Sequence, residues 1–227
     1  MTKRLIAAID TPELDRAGEL IAAVAPHCGL VKLGLEFFMR HGPQGFMQAA
    51  QGQKVFLDLK LHDIPNTVAG AVRSLLPLGA DMLTIHAAGG AKMIEAARAA
   101  SEGQKRPAIL AVTVLTSLDT AALAETGVAG GPAQQVLRLA RVALENGADG
   151  LVCSAHEISR LRDAFGDKPV LVVPGIRPAG AALGDQARVM TPEDAVAAGA
   201  DYIVVGRPIT GAPNPAEAAA SIAASIK

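Results

Sequence analysis

Apolar and polar positions along the chain fall into short, nearly continuous apolar runs separated by stretches with helical spacing. Residues 4–10, 30–35, 55–59, 82–86, 108–115, 151–154, 170–173 and 202–205 form the runs. Runs of this length, rich in Val, Ile and Leu, read as strands buried on both faces. After the first, Thr11 is placed to cap a helix and Pro12 suits its first turn, before apolar residues recur at Leu14, Ala17, Ile21 and Val24. A weaker helical stretch covers 44–51. Another starts at Asn66, runs through Val68, Val72 and Leu75, and closes at Gly79. Further helical spacing covers 91–100, 132–146, 156–165, 192–198 and 215–226.

A short echo marks the start of every second strand in the later chain. Gly79-Ala80-Asp81, Gly147-Ala148-Asp149 and Gly199-Ala200-Asp201 each close a helical stretch and lead into an apolar run. Eight strands alternating with about eight helices predict an α/β fold, a parallel sheet closed as a (β/α)8 TIM barrel, in a single domain over residues 1–227. A doubly wound open sheet is the alternative arrangement. Its dinucleotide-binding version expects Gly-x-Gly-x-x-Gly after the first strand, and no such string stands there.

Composition narrows the function classes. With 227 residues and 50% hydrophobic content, one sizeable core is expected. Lys and Arg number 21 against 22 Asp and Glu, a balance that offers no basic field for nucleic acid and no polybasic anchor for a membrane. Aromatic content of 3%, without Trp, also speaks against base-stacking platforms. Cys28 and Cys153 are far apart, set among apolar residues and without metal-ligand spacing, which reads as free thiols in a reducing, cytoplasmic setting. The apolar run at residues 5–9 ends at Asp10, too soon for a signal-peptide core or a membrane span.

In a barrel of this kind, chemistry sits at the C-terminal ends of the strands. The polar interruptions collect there: Asp10, Lys32, Asp58 with Lys60, His86, Thr116-Ser117, Ser154, Arg177 and Gly206-Arg207, one group per strand. Asp58 and Lys60 share one face of strand three, and an acid and a base buried in one space are costly unless paired or put to use. A structural ion pair is the plain alternative for that couple. His62 and His86 read as structural. Ser154 near His156 lacks the Gly-x-Ser-x-Gly elbow of a nucleophile. Gly175 with Arg177 and Gly206 with Arg207 suit the phosphate corner of a barrel, through close backbone approach and forked donors. The stretch 177–190, with Gly180, Gly184, Asp185 and Gln186, is long for a strand-to-helix connection and reads as a lid.

The string Asp58-Leu59-Lys60-Leu61-His62-Asp63-Ile64-Pro65-Asn66-Thr67 resembles the signature of the orotidine 5'-phosphate decarboxylase family. The likeness extends to Asp10, Lys32, Leu115-Thr116-Ser117, Pro174-Gly175-Ile176-Arg177, Gly184-Asp185-Gln186 and Val205-Gly206-Arg207-Pro208, and is nearest the bacterial form. It implies conversion of orotidine 5'-phosphate to uridine 5'-phosphate and carbon dioxide without metal or organic cofactor. On that resemblance Lys60 is the proton donor to C6 of the pyrimidine and Asp58 lies against the departing carboxylate. Lys32 bridges Asp58 and the ribose, and Asp10 binds a ribose hydroxyl. Thr116 meets the pyrimidine edge, Gln186 reaches base and phosphate from the lid, and Arg207, Gly206 and the Arg177 loop hold the phosphate. The resemblance also implies a homodimer in which Asp63 and Thr67 act across the interface.

Two rivals are defined by chemistry. Sugar-phosphate decarboxylases and synthases of the same superfamily share Asp-x-Lys-x-x-Asp but bind magnesium using an acidic residue on strand two, where this chain has Lys32. A non-catalytic pyrimidine-nucleotide-binding barrel would keep the phosphate loops and could dispense with Lys60.

Overall fold

A computed structural model of the chain describes residues 4–103, 105–178 and 190–226. Its eight strands are β1 (Leu5–Ala8), β2 (Leu30–Gly34), β3 (Val55–Leu61), β4 (Met82–His86), β5 (Ala108–Val112), β6 (Gly150–Val152), β7 (Val170–Val173) and β8 (Tyr202–Val205). All neighbours pair in parallel and in sequence order, and the ring closes where Ile6 of β1 stands opposite Val204 of β8. The closed barrel replaces the open-sheet alternative.

Ten α-helices lie among the described residues: α1 (Leu14–Val24), α2 (Leu35–Ala50), α3 (Pro65–Leu75), α4 (Ala91–Ala100), α5 (Thr120–Glu125), α6 (Pro132–Glu145), α7 (Ile158–Phe165), α8 (Pro192–Ala197), α9 (Arg207–Thr210) and α10 (Pro215–Ser225). Two apolar groupings follow from strand alternation. Ile6, Ala8, Leu30, Phe56, Met82, Leu110, Val172 and Val204 fill the barrel interior, while a larger set including Leu5, Leu33, Leu57, Leu83, Ile109, Leu171 and Ile203 packs outward against the helices. Two residues beyond Leu30, Phe56 and Met82, the inward positions become Lys32, Asp58 and Thr84. The interior thus turns polar toward the C-terminal rim.

The local readings need four corrections. The N-cap of α1 is Glu13, and Thr11 stands two residues earlier with its hydroxyl accepting from the Glu13 N–H at 3.3 Å. The helix after β2 starts at Leu35 and bends at Gly42, whose φ of 61° breaks the ladder ahead of Pro43, so only its second half had a readable pattern. Strand β5 ends at Val112, three residues before the apolar run does. The short helices α5 and α9 carry too few turns for a periodic signal.

The Gly-Ala-Asp echo is a structural device at the N-terminal end of the barrel. Its glycines adopt left-handed φ values of 67°, 98° and 112°, closing the preceding helical turns. Each aspartate then reaches back to the preceding strand. The Asp81 carboxylate accepts from the Val55 N–H at 2.9 Å, Asp149 from Ile109 at 2.8 Å and Asp201 from Leu171 at 2.8 Å. Two of the three also hold an arginine, Asp149 with Arg106 at 2.6 Å and Asp201 with Arg162 at 2.7 Å.

Candidate active site

At the opposite, C-terminal end four charged side chains run in an unbroken alternating line. Lys32 Nζ lies 3.2 Å from Asp10 Oδ1 and 3.6 Å from Asp58 Oδ2, and Lys60 Nζ donates to both Asp58 oxygens at 2.9 Å. The line spans the ends of β1, β2 and β3. Asp58 is its buried centre, with a side chain 13% exposed, whereas that of Lys60 is 37% exposed and faces the opening. A cavity of about 180 Å³ is lined by Lys32, Asp58, Lys60, Val114 and Thr116, among others. A second one, of about 150 Å³, shares Lys32, Asp58 and Lys60 and adds Asp10, so the line forms the wall between the two.

Asp58 and Lys60 meet by an irregular route. Phe56 and Leu57 pair with Met82 and Leu83, but the next partners are Leu61 and Ile85, so β3 uses four residues where β4 uses two. Within this bulge Lys60 has φ of 53°, a left-handed conformation rare for a side chain with a Cβ. Thr84, fully buried on β4, faces the bulge. Its hydroxyl accepts from the Lys60 N–H at 2.8 Å and donates to Asp58 Oδ1 at 3.0 Å. Sequence reasoning did not single out Thr84; its one signal was a hydroxyl at an inward position of an otherwise apolar strand.

The electrostatics follow from these contacts. Burial would raise the Asp58 carboxyl, but Lys32, Lys60 and the hydrogen bonds from Lys60 and Thr84 outweigh it and hold the group below the ordinary carboxylate range. His86, whose ring centre lies 5.4 Å from that of His62, is pushed down by burial and then by the nearby His62 and Lys60 charges.

After β7 and β8 stand Arg177, buried and donating from its guanidinium to the Ile176 carbonyl at 3.1 Å, and Arg207, which is exposed. Burial, and then the Arg207 charge, push the Arg177 guanidinium below its ordinary value. Gly206 follows β8, and a Cβ there would stand 3.4 Å from Asp10 Oδ2, so the Gly206 backbone abuts the charged line. The Arg177 N–H donates to the Met190 carbonyl at 3.1 Å, joining the two ends of the stretch read as a lid. Gln186, Gly180, Gly184 and Asp185 lie outside the described residues.

Of the remaining expectations, Asp63 and Thr67 are exposed on the loop and first turn after β3. The Asp63 carboxylate accepts from the Ile64 N–H at 2.6 Å, and among the described residues no ion pair joins it to the charged line. Ser154 is accounted for by a capping box with Glu157, whose carboxylate accepts from the Ser154 N–H at 2.7 Å. Cys28 and Cys153 are free and buried, and burial pushes the Cys153 thiol far up, away from nucleophilic use. No helix among the described residues is long and apolar enough to cross a membrane.

The profile of the family described as orotidine 5'-phosphate decarboxylase / HUMPS matches residues 3–222. The chain belongs to this family. An orotidine 5'-phosphate decarboxylase of Anaeromyxobacter sp. (strain K) is 58% identical over 227 residues, covering 99% of both chains, and that of Gluconobacter oxydans is 53% identical over 96% of this chain and 95% of its own. In three dimensions, the crystal structure of the Lactobacillus acidophilus orotidine 5'-phosphate decarboxylase superposes with a TM-score of 0.87 at 38% identity, covering 99% of each chain. That of Pyrococcus horikoshii gives 0.80 at 28% identity over 98% of each. Within this family, the line Asp10, Lys32, Asp58 and Lys60 is what the fold brings together.

Proposed function

We propose that the protein decarboxylates orotidine 5'-phosphate to uridine 5'-phosphate, with Lys60 delivering the proton that replaces the lost carboxylate. The observation that carries this reading is the alternating line itself, which ends in an ammonium fixed by two hydrogen bonds at a cavity wall. Loss of carbon dioxide from an sp2 ring carbon leaves an electron pair with little resonance relief. A cation held in place before reaction stabilises that pair without reorganising, and the same Nζ–H then protonates the carbon. Asp58 keeps the ammonium aimed and stands where the departing carboxylate would lie.

The distant contacts supply alignment. Asp10 and Lys32 suit the ribose hydroxyls, and Thr116 the edge of the ring. Arg207, the Gly206 backbone and the Arg177 loop suit the phosphate, and Gln186 would join base and phosphate from the stretch between Arg177 and Met190. Binding energy gained at the phosphate, remote from the reacting carbon, is available to orient the ring. The donor set disfavours the magnesium-dependent sugar-phosphate chemistry of the same superfamily, because Lys32 lies between the Asp10 and Asp58 carboxylates and would repel a divalent cation there.

The reading includes a homodimer in which Asp63 and Thr67 complete the partner's site. In support, Asp63 makes no ion pair to the line of its own protomer among the described residues, and Ile64 beside it is 67% exposed, an apolar side chain suited to an interface. Mixed Lys60→Ala and Asp63→Ala dimers should then regain activity through hybrids with one intact site. No recovery after demonstrated subunit exchange overturns the shared site.

The activity itself is tested by following the ultraviolet absorbance of orotidine 5'-phosphate with protein treated exhaustively with a chelator. Loss of the orotate absorbance is the expected result. A flat trace from folded protein, with turnover of a sugar phosphate on adding magnesium, overturns the reading.

A further inference from the structure

We infer that Thr84 is a positioning residue for the decarboxylation, a buried hydroxyl that sets where Lys60 and Asp58 stand relative to each other. The inference rests on the reading of Lys60 as proton donor and concerns what holds that lysine in place.

Three observations converge on this side chain. First, the β3–β4 ladder skips: between the pairs Leu57↔Leu83 and Leu61↔Ile85, Thr84 is the lone β4 residue opposite Asp58, Leu59 and Lys60. A bulge of this kind leaves backbone groups without ladder partners. Thr84 Oγ1 takes one of them, accepting from the Lys60 N–H at 2.8 Å. Second, Lys60 at φ of 53° sits in a strained conformation that persists only when its surroundings over-determine it. The Thr84 contact is a fixed point on the backbone of that residue. Third, the same oxygen donates to Asp58 Oδ1 at 3.0 Å, the carboxylate that holds the Lys60 ammonium from the other end.

Backbone N–H, hydroxyl, carboxylate and ammonium therefore close a loop through one atom. The ionised Asp58 carboxylate can only accept, so the hydroxyl hydrogen points at it while the oxygen accepts from Lys60. Full burial removes water as a substitute partner. A hydroxyl in this place thus converts a strained bulge into a rigid mount, and the reacting ammonium inherits its position from β4, a strand that contributes no charge to the line.

The test compares Thr84→Val, which keeps the shape, with Thr84→Ser, which keeps the hydroxyl. Thr84→Val should lower kcat by about 10²-fold, the scale of an ångström-sized misplacement of a reacting group. Its KM for orotidine 5'-phosphate and its affinity for uridine 5'-phosphate should change less than about threefold, because the phosphate contacts lie elsewhere. Thr84→Ser should stay within about fivefold of the parent in kcat, a rescue that a purely space-filling role would reserve for valine. The acid limb of the Thr84→Val pH–rate profile should also move to higher pH, since a donor favouring ionised Asp58 is lost, while the serine variant keeps the parent profile. Should the valine variant fail to fold, Thr84→Ala against Thr84→Ser isolates the same hydroxyl. A kcat within threefold for valine or alanine, or serine no better than either, overturns the inference. A parent enzyme that does not decarboxylate orotidine 5'-phosphate, or Lys60→Ala turning over normally, overturns the reading beneath it instead.

Discussion

The two ends of the barrel use the same ingredients, aspartates facing cations, for opposite purposes. At the N-terminal end Asp149 and Asp201 each hold a backbone N–H of the neighbouring strand as well as an arginine. At the C-terminal end Asp58 faces two lysines and one hydroxyl, and the second lysine opens onto a cavity. The planar forks of Arg106 and Arg162 are spent on fixed oxygens, with Arg106 donating through both terminal nitrogens to both Asp149 oxygens. A lysine ammonium retains a donor that a ligand can use. Partner chemistry, more than the presence of an ion pair, separates scaffold from site.

Substitutions at both ends should break this symmetry in order of size. Lys60→Ala should lower decarboxylation by about 10⁴-fold or more, losing both charge stabilisation and proton transfer, while calorimetry still shows binding of uridine 5'-phosphate. Arg207→Ala should lower kcat/KM by about 10²-fold, the scale of losing charge-assisted hydrogen bonds to a phosphate; steady-state kinetics with inorganic phosphate as competitor read that loss. Asp149→Ala at the other end should leave kcat within about twofold yet destabilise the fold by about 1–3 kcal/mol, since the Ile109 N–H and Arg106 lose their acceptor, seen as a Tm lower by several degrees.

The smallest effect is in pH. Burial raises the Asp149 carboxyl, but the Arg106 hydrogen bond, the Ile109 N–H and the Arg106 and Arg98 charges outweigh it and lower the group below 3.8. A carboxylate depressed in the folded state contributes stability that is complete above the unfolded value near 3.8 and is lost as pH falls through the lower folded value. The stability gap between parent and Asp149→Ala should therefore be constant from neutral pH down to about 5 and narrow below 4. Denaturant titrations across that range measure it, and a gap that widens in acid contradicts the clamp.

The eight strands were legible because buried parallel strands are continuous apolar runs, and the rim positions followed from where those runs end. That Lys32, Asp58 and Lys60 meet was legible because charges at the ends of such strands converge once the ring closes, whereas the Lys32 contact to Asp10 at 3.2 Å came from the fold. What stayed hidden was local. The bulge at residues 58–60 has no pattern of its own, since Leu59 and Leu61 continue the apolar alternation through it. Thr84 is a good strand former, so its composition gave no reason to look. The Gly-Ala-Asp echo was readable as helix ends, but the reach of its aspartates to the previous strand depends on parallel pairing that only the fold supplies.

That echo has a consequence for how the ring comes together. The clamps from Asp81 to Val55, Asp149 to Ile109 and Asp201 to Leu171 join residues 26, 40 and 30 positions apart, so each closes one strand-helix-strand unit by itself. The seam between β1 and β8 is different, with Arg4 reaching the Ala200 carbonyl across 196 positions. Loop-closure entropy makes such distant contacts late and the three units early. Assembly is thus expected to proceed as three self-locking pairs before the circle closes, with the Gly206 backbone beside Asp10 among the last surfaces to form.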